Sequence, residues 1–133
     1  MTDTAGHAEP PPETILFVED ETLIRMDMAE FLRQCGYRVA EVGSAAEAVE
    51  ALQAKLTIDL VITDIKMPGE MDGEALAKWI EEKRPGVKVI LTSAHRPSDD
   101  KGDRLYLTKP YTGRALLGLV RAALGDPDCS PQN

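Results

Sequence analysis

Short apolar runs alternate along this chain with stretches whose apolar residues recur at helical spacing, and that alternation leaves few folds open. Residues 15–18, 58–62 and 87–91 are largely continuous apolar runs, the pattern of parallel strands covered on both faces. Residues 38–42 and 104–108 alternate polar and apolar side chains, as partly exposed edge strands do. Between the runs lie helical stripes. Ile24, Met28, Phe31, Leu32 and Cys35 make one; Ala45, Ala48, Val49 and Leu52 make a second, with Ser44 placed to cap it. Leu76, Trp79 and Ile80 make a third, and Leu116, Val120, Ala123 and Leu124 make the last, closed by Gly125. Strict strand–helix alternation predicts an α/β protein, a parallel sheet with helices on both faces. Three buried strands and two edge strands fit a doubly wound five-stranded sheet in the order 2-1-3-4-5.

One helix of that pattern is expected to be shortened or missing: the fourth, between the fourth and fifth strands. Only residues 94–103 fill the gap, with Pro97 suited to start a helix and Gly102 to end it. The span Pro97–Lys101 is about five residues, little more than one turn at about 3.6 residues per turn. So short a piece has little helical stability of its own, and no apolar stripe docks it. A mobile loop or a single turn is the expectation there.

With 133 residues the chain has room for one core. The expected body is 14–125. Residues 1–13, which end in a proline run, read as a disordered leader, and 126–133 as a flexible tail. The formal net charge of −8 argues against direct DNA binding, which draws on clustered Lys and Arg, and favours a cationic partner instead. No apolar run approaches the roughly 18 residues of a membrane span, and no signal peptide opens the chain. Cys35 falls on an apolar helical face and Cys129 in the polar tail, so no bridge between them is expected. Together these features fit a cytoplasmic protein.

In doubly wound sheets, ligands gather beyond the carboxyl ends of the central strands. Here strand one runs into Glu19-Asp20-Glu21, strand three into Asp64, strand four into Thr92-Ser93, and strand five into Lys109-Pro110. Taken singly these are ordinary features: an acidic run is usually a solvated loop, and Met67-Pro68-Gly69 is common turn chemistry. Together they place carboxylates, a hydroxyl and a lysine at one sheet edge. Carboxylates so close repel one another unless a cation intervenes, and a hard divalent ion with oxygen ligands suits them. The same set suits phosphoryl transfer to a carboxylate nucleophile, with a metal and a lysine neutralising the transferred oxygens.

Leu16-Phe17-Val18-Glu19-Asp20-Glu21, Asp64-Ile65-Lys66-Met67-Pro68, Met71-Asp72-Gly73, Leu91-Thr92-Ser93-Ala94 and Lys109-Pro110 resemble the corresponding stretches of bacterial response-regulator receiver domains. The likeness runs from about Thr14 to Gly125 and implies the flavodoxin-like fold. It implies that Asp64 is the phosphoacceptor. Asp20 and Asp64 would ligate Mg²⁺ (or Mn²⁺), with Glu19 acting through a water and the Lys66 carbonyl as a further ligand. Ser93 would be the switch hydroxyl, Tyr106 the switch aromatic and Lys109 the catalytic cation. Lys66 and His95 resemble positions that tune the lifetime of the phosphate. The peptide before Pro110 is expected to be cis. Two departures stand out: the Met67–Gly73 loop looks one residue longer than is common in that family, and the 16 positions from Ser93 to Lys109 are fewer.

The resemblance implies a sensor histidine kinase or a histidine phosphotransfer protein as donor, and an unknown downstream protein reached by contact. The resembling family comprises phosphoaccepting switches rather than enzymes acting on a separate substrate. Two rivals stand beside it. An aspartate-nucleophile phosphohydrolase would carry Asp-x-Asp after the first strand and a cap domain, whereas this chain has Glu19-Asp20-Glu21 and no evident cap. A receiver-shaped interaction module that does not use phosphate would have little need of Asp20, Asp64, Ser93 and Lys109 together.

Overall fold

The computed structural model describes residues 13–54, 57–94 and 104–125. Within them the elements run β1 (Thr14–Val18), α1 (Thr22–Gln34), β2 (Arg38–Val42), α2 (Ala45–Gln53), β3 (Leu60–Asp64), α3 (Gly73–Lys83), β4 (Lys88–Ser93), β5 (Leu105–Thr108) and α4 (Gly113–Leu124). The sheet has five strands in the order β2-β1-β3-β4-β5, every neighbouring pair parallel. That is the doubly wound, flavodoxin-like arrangement expected from the alternation, with β2 and β5 at the edges. The connection between β4 and β5, where the shortened fourth helix was expected, spans 95–103 and lies outside the described residues, as do 1–12 and 126–133.

Period-two alternation splits the strands between two cores. Ile15, Phe17, Leu60, Ile62 and Ile90 pack under α1 and α4, against Ala29, Leu32, Cys35, Leu116, Leu117 and Val120. Leu16, Val18 and Val61 face the other way, against Ala45, Ala48 and Leu52 of α2 and Leu76 and Ile80 of α3. Burying a side chain of this size is worth about 1.5–3 kcal/mol, and the central strands bury theirs on both faces. That is why β1 and β3 read as unbroken apolar runs.

Local signals set the helix ends. Ser44 Oγ accepts from the Glu47 N–H at 3.1 Å while Glu47 Oε1 accepts from the Gly43 N–H at 2.7 Å, so each side chain satisfies a donor at the start of α2. Asp72 caps α3 through the Ala75 N–H at 2.9 Å, and Thr112 caps α4 through the Ala115 N–H at 3.0 Å. Gly125 ends α4 with φ +85°, in the left-handed region that a side chain disfavours.

Two strands sit further along the chain than their apolar runs suggest. β3 begins at Leu60 and continues through Thr63 and Asp64, while β4 continues through Thr92 and Ser93. The ladder explains the shift: Thr63 pairs with Leu91 and Asp64 with Thr92. Main-chain pairing does not depend on side-chain polarity, so strands flanked on both sides extend past their last apolar residue. Before β3, the Asp59 side chain accepts from the Thr14 N–H at 2.8 Å and its own N–H donates to the Thr14 carbonyl at 2.9 Å, closing the start of β1.

Candidate functional site

The extension of β3 and β4 carries polar residues into the sheet's carboxyl edge. β1 ends in Val18, so Glu19 enters the turn directly, its N–H still donating to the Val42 carbonyl of β2 at 3.1 Å. Asp64 is the last residue of β3, and the next N–H, that of Ile65, donates to the Thr92 carbonyl at 2.8 Å. The Lys109 N–H donates to the Ser93 carbonyl at 2.8 Å, which ties the end of β5 to the end of β4. The Lys109–Pro110 peptide is cis.

These attachments bring together side chains far apart in sequence. One carboxylate oxygen each from Glu19, Asp20 and Asp64 lies within 4.8 Å of the others. Lys109 Nζ donates to Asp64 Oδ2 at 2.7 Å and to Glu19 Oε1 at 3.3 Å. Glu19 Oε2 accepts from the Glu21 N–H at 3.1 Å. Glu19 is 1% exposed and Asp64 9% exposed, while Asp20 faces solvent. The pocket is thus buried at its floor and open at Asp20.

Burial pushes the Glu19 carboxyl up from its ordinary range, against the pull of the Glu21 N–H and the Lys109 charge. Burial works against the Lys109 ammonium too, but the hydrogen bond it donates to Asp64 and the charges of Glu19 and Asp64 outweigh it and its pKa rises. Lys109 is therefore a fixed cation. Burial, then the Glu19 charge, raises the neighbouring Tyr111 phenol to about 12, so Tyr111 stays neutral.

Three carboxylates against one ammonium leave a net charge of −2 when all are ionised. A divalent cation would cancel it. Oxygen ligands around one Mg²⁺ lie about 3–4 Å apart, so a cluster within 4.8 Å needs only small movements to close. The donor set is all oxygen, which suits Mg²⁺ rather than a softer metal. Glu19, Asp20 and Asp64 fit the ion.

Of the other expected site residues, Ser93 is half-buried at the end of β4 and Tyr106 half-buried in β5, opposite Leu91. Lys66 is exposed two positions beyond Asp64. His95 lies outside the described residues. The pocket therefore gathers Glu19, Asp20, Asp64 and Lys109 directly, with Ser93 joined through its carbonyl to the Lys109 main chain.

One residue of the site gains its reason only from the structure. The Gly73 N–H donates to the Ile65 carbonyl at 2.8 Å, folding the loop after β3 back on itself. A Cβ on Gly73 would collide with the Asp64 carbonyl oxygen and come within 2.8 Å of the Ile65 Cα, both main-chain atoms that cannot swing aside. Gly73→Ala should cost about 1–3 kcal/mol, as overpacking typically does. Gly118, in α4 with nothing within 4 Å of its Cβ position, is the control: Ala there should stabilise by up to about 1 kcal/mol. Urea melts of the two variants should move in opposite directions, and equal midpoints would remove the close-approach argument.

A parallel 2-1-3-4-5 sheet with an acidic pocket and a lysine at its carboxyl edge defines the class: a flavodoxin-like α/β protein built as a receiver. The chain belongs to the response regulator receiver domain family, whose family model matches residues 15–121. It is 40% identical over 119 residues to the transcriptional regulatory protein PdtaR of Mycobacterium tuberculosis, covering 85% of this chain and 57% of PdtaR. It is 38% identical over 118 residues to the response regulator protein FleR of Pseudomonas aeruginosa, covering 84% of this chain and 24% of FleR. The chain thus spans about half the length of PdtaR and a smaller share of FleR. Among solved structures, a response regulator receiver protein from Sinorhizobium medicae superposes with a TM-score of 0.78 at 32% identity, covering 85% of this chain and 94% of that one. The response regulator protein TrrA of Thermotoga maritima, solved in complex with Mg²⁺-BeF, gives 0.73 at 31% identity, covering 84% and 98%. Among the described residues, no helix is long and apolar enough to cross a membrane.

Proposed function

We propose that this receiver is a phosphoryl-accepting switch: Asp64 takes a phosphoryl group from a phosphohistidine, on a sensor kinase or a phosphotransfer protein, with the help of Mg²⁺. The observation that carries the reading is Lys109 Nζ at 2.7 Å from Asp64 Oδ2, within a carboxylate cluster short of two positive charges. A bound divalent ion would supply that charge and neutralise the oxygens of the phosphoryl group. Asp64 provides the nucleophilic oxygen: its new O–P bond forms as the donor's N–P bond breaks, and the imidazole nitrogen keeps the electron pair. Lys109 is placed to balance negative charge on the incoming oxygens, and Glu19 holds Lys109 from beneath.

In the same reading Ser93 binds the phosphoryl group once it is attached, and Tyr106 repositions with it. Lys66 would contribute its carbonyl to the metal. Lys66 and His95 govern how water reaches the phosphate, and so its lifetime. The signal then passes by contact to a downstream protein in the cytoplasm. The switch acts on itself alone, forming and losing its own aspartyl-phosphate.

The test pairs metal with phosphate. Incubated with a small phosphodonor and Mg²⁺, the protein should gain one phosphate by mass spectrometry, and chelation should prevent it. Mg²⁺ at about ten times its Kd should stabilise the fold by about 1.4 kcal/mol, since it binds only the native state. Asp20→Ala should lose both responses, yet melt no lower than wild type without metal, because a like charge has left the cluster. A wild-type melting midpoint indifferent to Mg²⁺ would defeat the reading.

A further inference from the structure

We infer that Arg25 is a positioning residue for the acidic pocket, holding the peptide that joins Glu19 to Asp20; the inference rests on the metal-dependent reading above. Arg25 Nη1 donates to the Glu19 carbonyl at 2.8 Å. That carbonyl belongs to the Glu19–Asp20 peptide unit, so fixing it fixes the plane from which both carboxylates leave the main chain. The Glu19 N–H is held at the same time by the Val42 carbonyl. The backbone under the pocket is pinned on both sides.

The guanidinium is itself braced. Arg25 Nε faces Glu41 Oε1 at 3.6 Å, while the other oxygen of Glu41 accepts from Arg33 Nη2 at 2.9 Å. Arg33 Nη2 also donates to the Val39 carbonyl at 2.8 Å. A Cβ on Gly43 would lie 3.3 Å from Arg25 Nη1, so the chain after β2 closes over the group. The Arg25 side chain is 19% exposed, far less than that of Arg33 at 40%.

Helix stability does not explain this arginine. It stands near the start of α1, where a cation opposes the helix dipole, and α1 has no acidic residue in its first turn and no side-chain cap. Its partners lie instead at the ends of β1 and β2.

Charge and position make opposite forecasts. As a mere nearby charge, Arg25 repels a cation, and its removal would tighten Mg²⁺ binding. As a positioning residue it keeps the ligands aligned, and its removal loosens binding.

Calorimetric titration of Mg²⁺ into wild type, Arg25→Met and Arg25→Lys decides between them. Methionine keeps much of the apolar stem and removes the donor. Its Kd should rise about tenfold, the lower end of what losing an outer support of a metal site costs, and lysine, which still reaches the carbonyl, should recover part of the loss. Equal or tighter binding in Arg25→Met would overturn the inference. Should that variant not fold, Glu41→Gln weakens the brace alone and should raise Kd by a smaller factor; an unchanged Kd there overturns the inference equally. A wild type that does not bind Mg²⁺ would overturn the metal site itself, a distinct failure seen before any variant is made.

Discussion

Asp64→Asn should abolish phosphate uptake altogether while leaving the protein folded. The amide has the shape of the carboxylate but not its nucleophilic oxygen, and its carbonyl still accepts from Lys109. The other two carboxylates of the cluster are placed differently: Glu19 is buried against Lys109, and Asp20 stands at the open side. Mass spectrometry after incubation with a phosphodonor and Mg²⁺ should show one added phosphate on the wild type and none on the variant. Equal labelling of both would reassign the acceptor.

The second large effect is expected at Lys109. Its ammonium pairs with two carboxylates, at 2.7 and 3.3 Å. Removing one partner of a fully buried pair costs about 3–5 kcal/mol; Lys109 keeps 23% of its side chain exposed, so about 1–3 kcal/mol is the expectation for Lys109→Met once solvent screening is allowed for. Glu19 and Asp64 then face each other without their shared cation. Mg²⁺ should restore part of that stability, and should raise the melting midpoint of Lys109→Met by more than it raises that of wild type. Phosphorylation should slow by about 100-fold, the loss typical of removing one preorganised donor. A variant that melts like wild type without metal, or is phosphorylated at the wild-type rate, would show that Lys109 does not neutralise this pocket.

Much of this was legible in the residues themselves. The apolar runs located β1, β3 and β4, and the alternating segments located the edges. Ser44 and Gly125 mark helix ends in the structure as their chemistry predicts. The boundaries of β3 and β4 were less legible, because Thr63, Asp64, Thr92 and Ser93 extend strands through main-chain pairing that side-chain pattern does not record. Asp72 and Thr112 cap helices with signals as plain as that of Ser44. Gly73 could be matched to a family stretch, but the need for glycine there comes from the nearness of the Asp64 carbonyl. Arg25 carried no signal at all, since an arginine on an amphipathic helix ordinarily faces water.

By itself, then, the sequence determined the layering of the fold and which polar residues follow each strand, because both are written in periodicities of two and 3.6 residues and in local turn chemistry. Only the tertiary structure decided that Lys109 reaches Asp64 and Glu19 at once, across separations of 45 and 90 positions. It alone decided that three carboxylates share one 4.8 Å cluster, that Gly73 has no room for a side chain, and that Arg25 grips the Glu19 carbonyl. Those facts depend on how strands are staggered and how turns return on them, to within a fraction of an ångström. A hydrogen bond is lost over such a distance, whereas the apolar pattern that drives folding tolerates it.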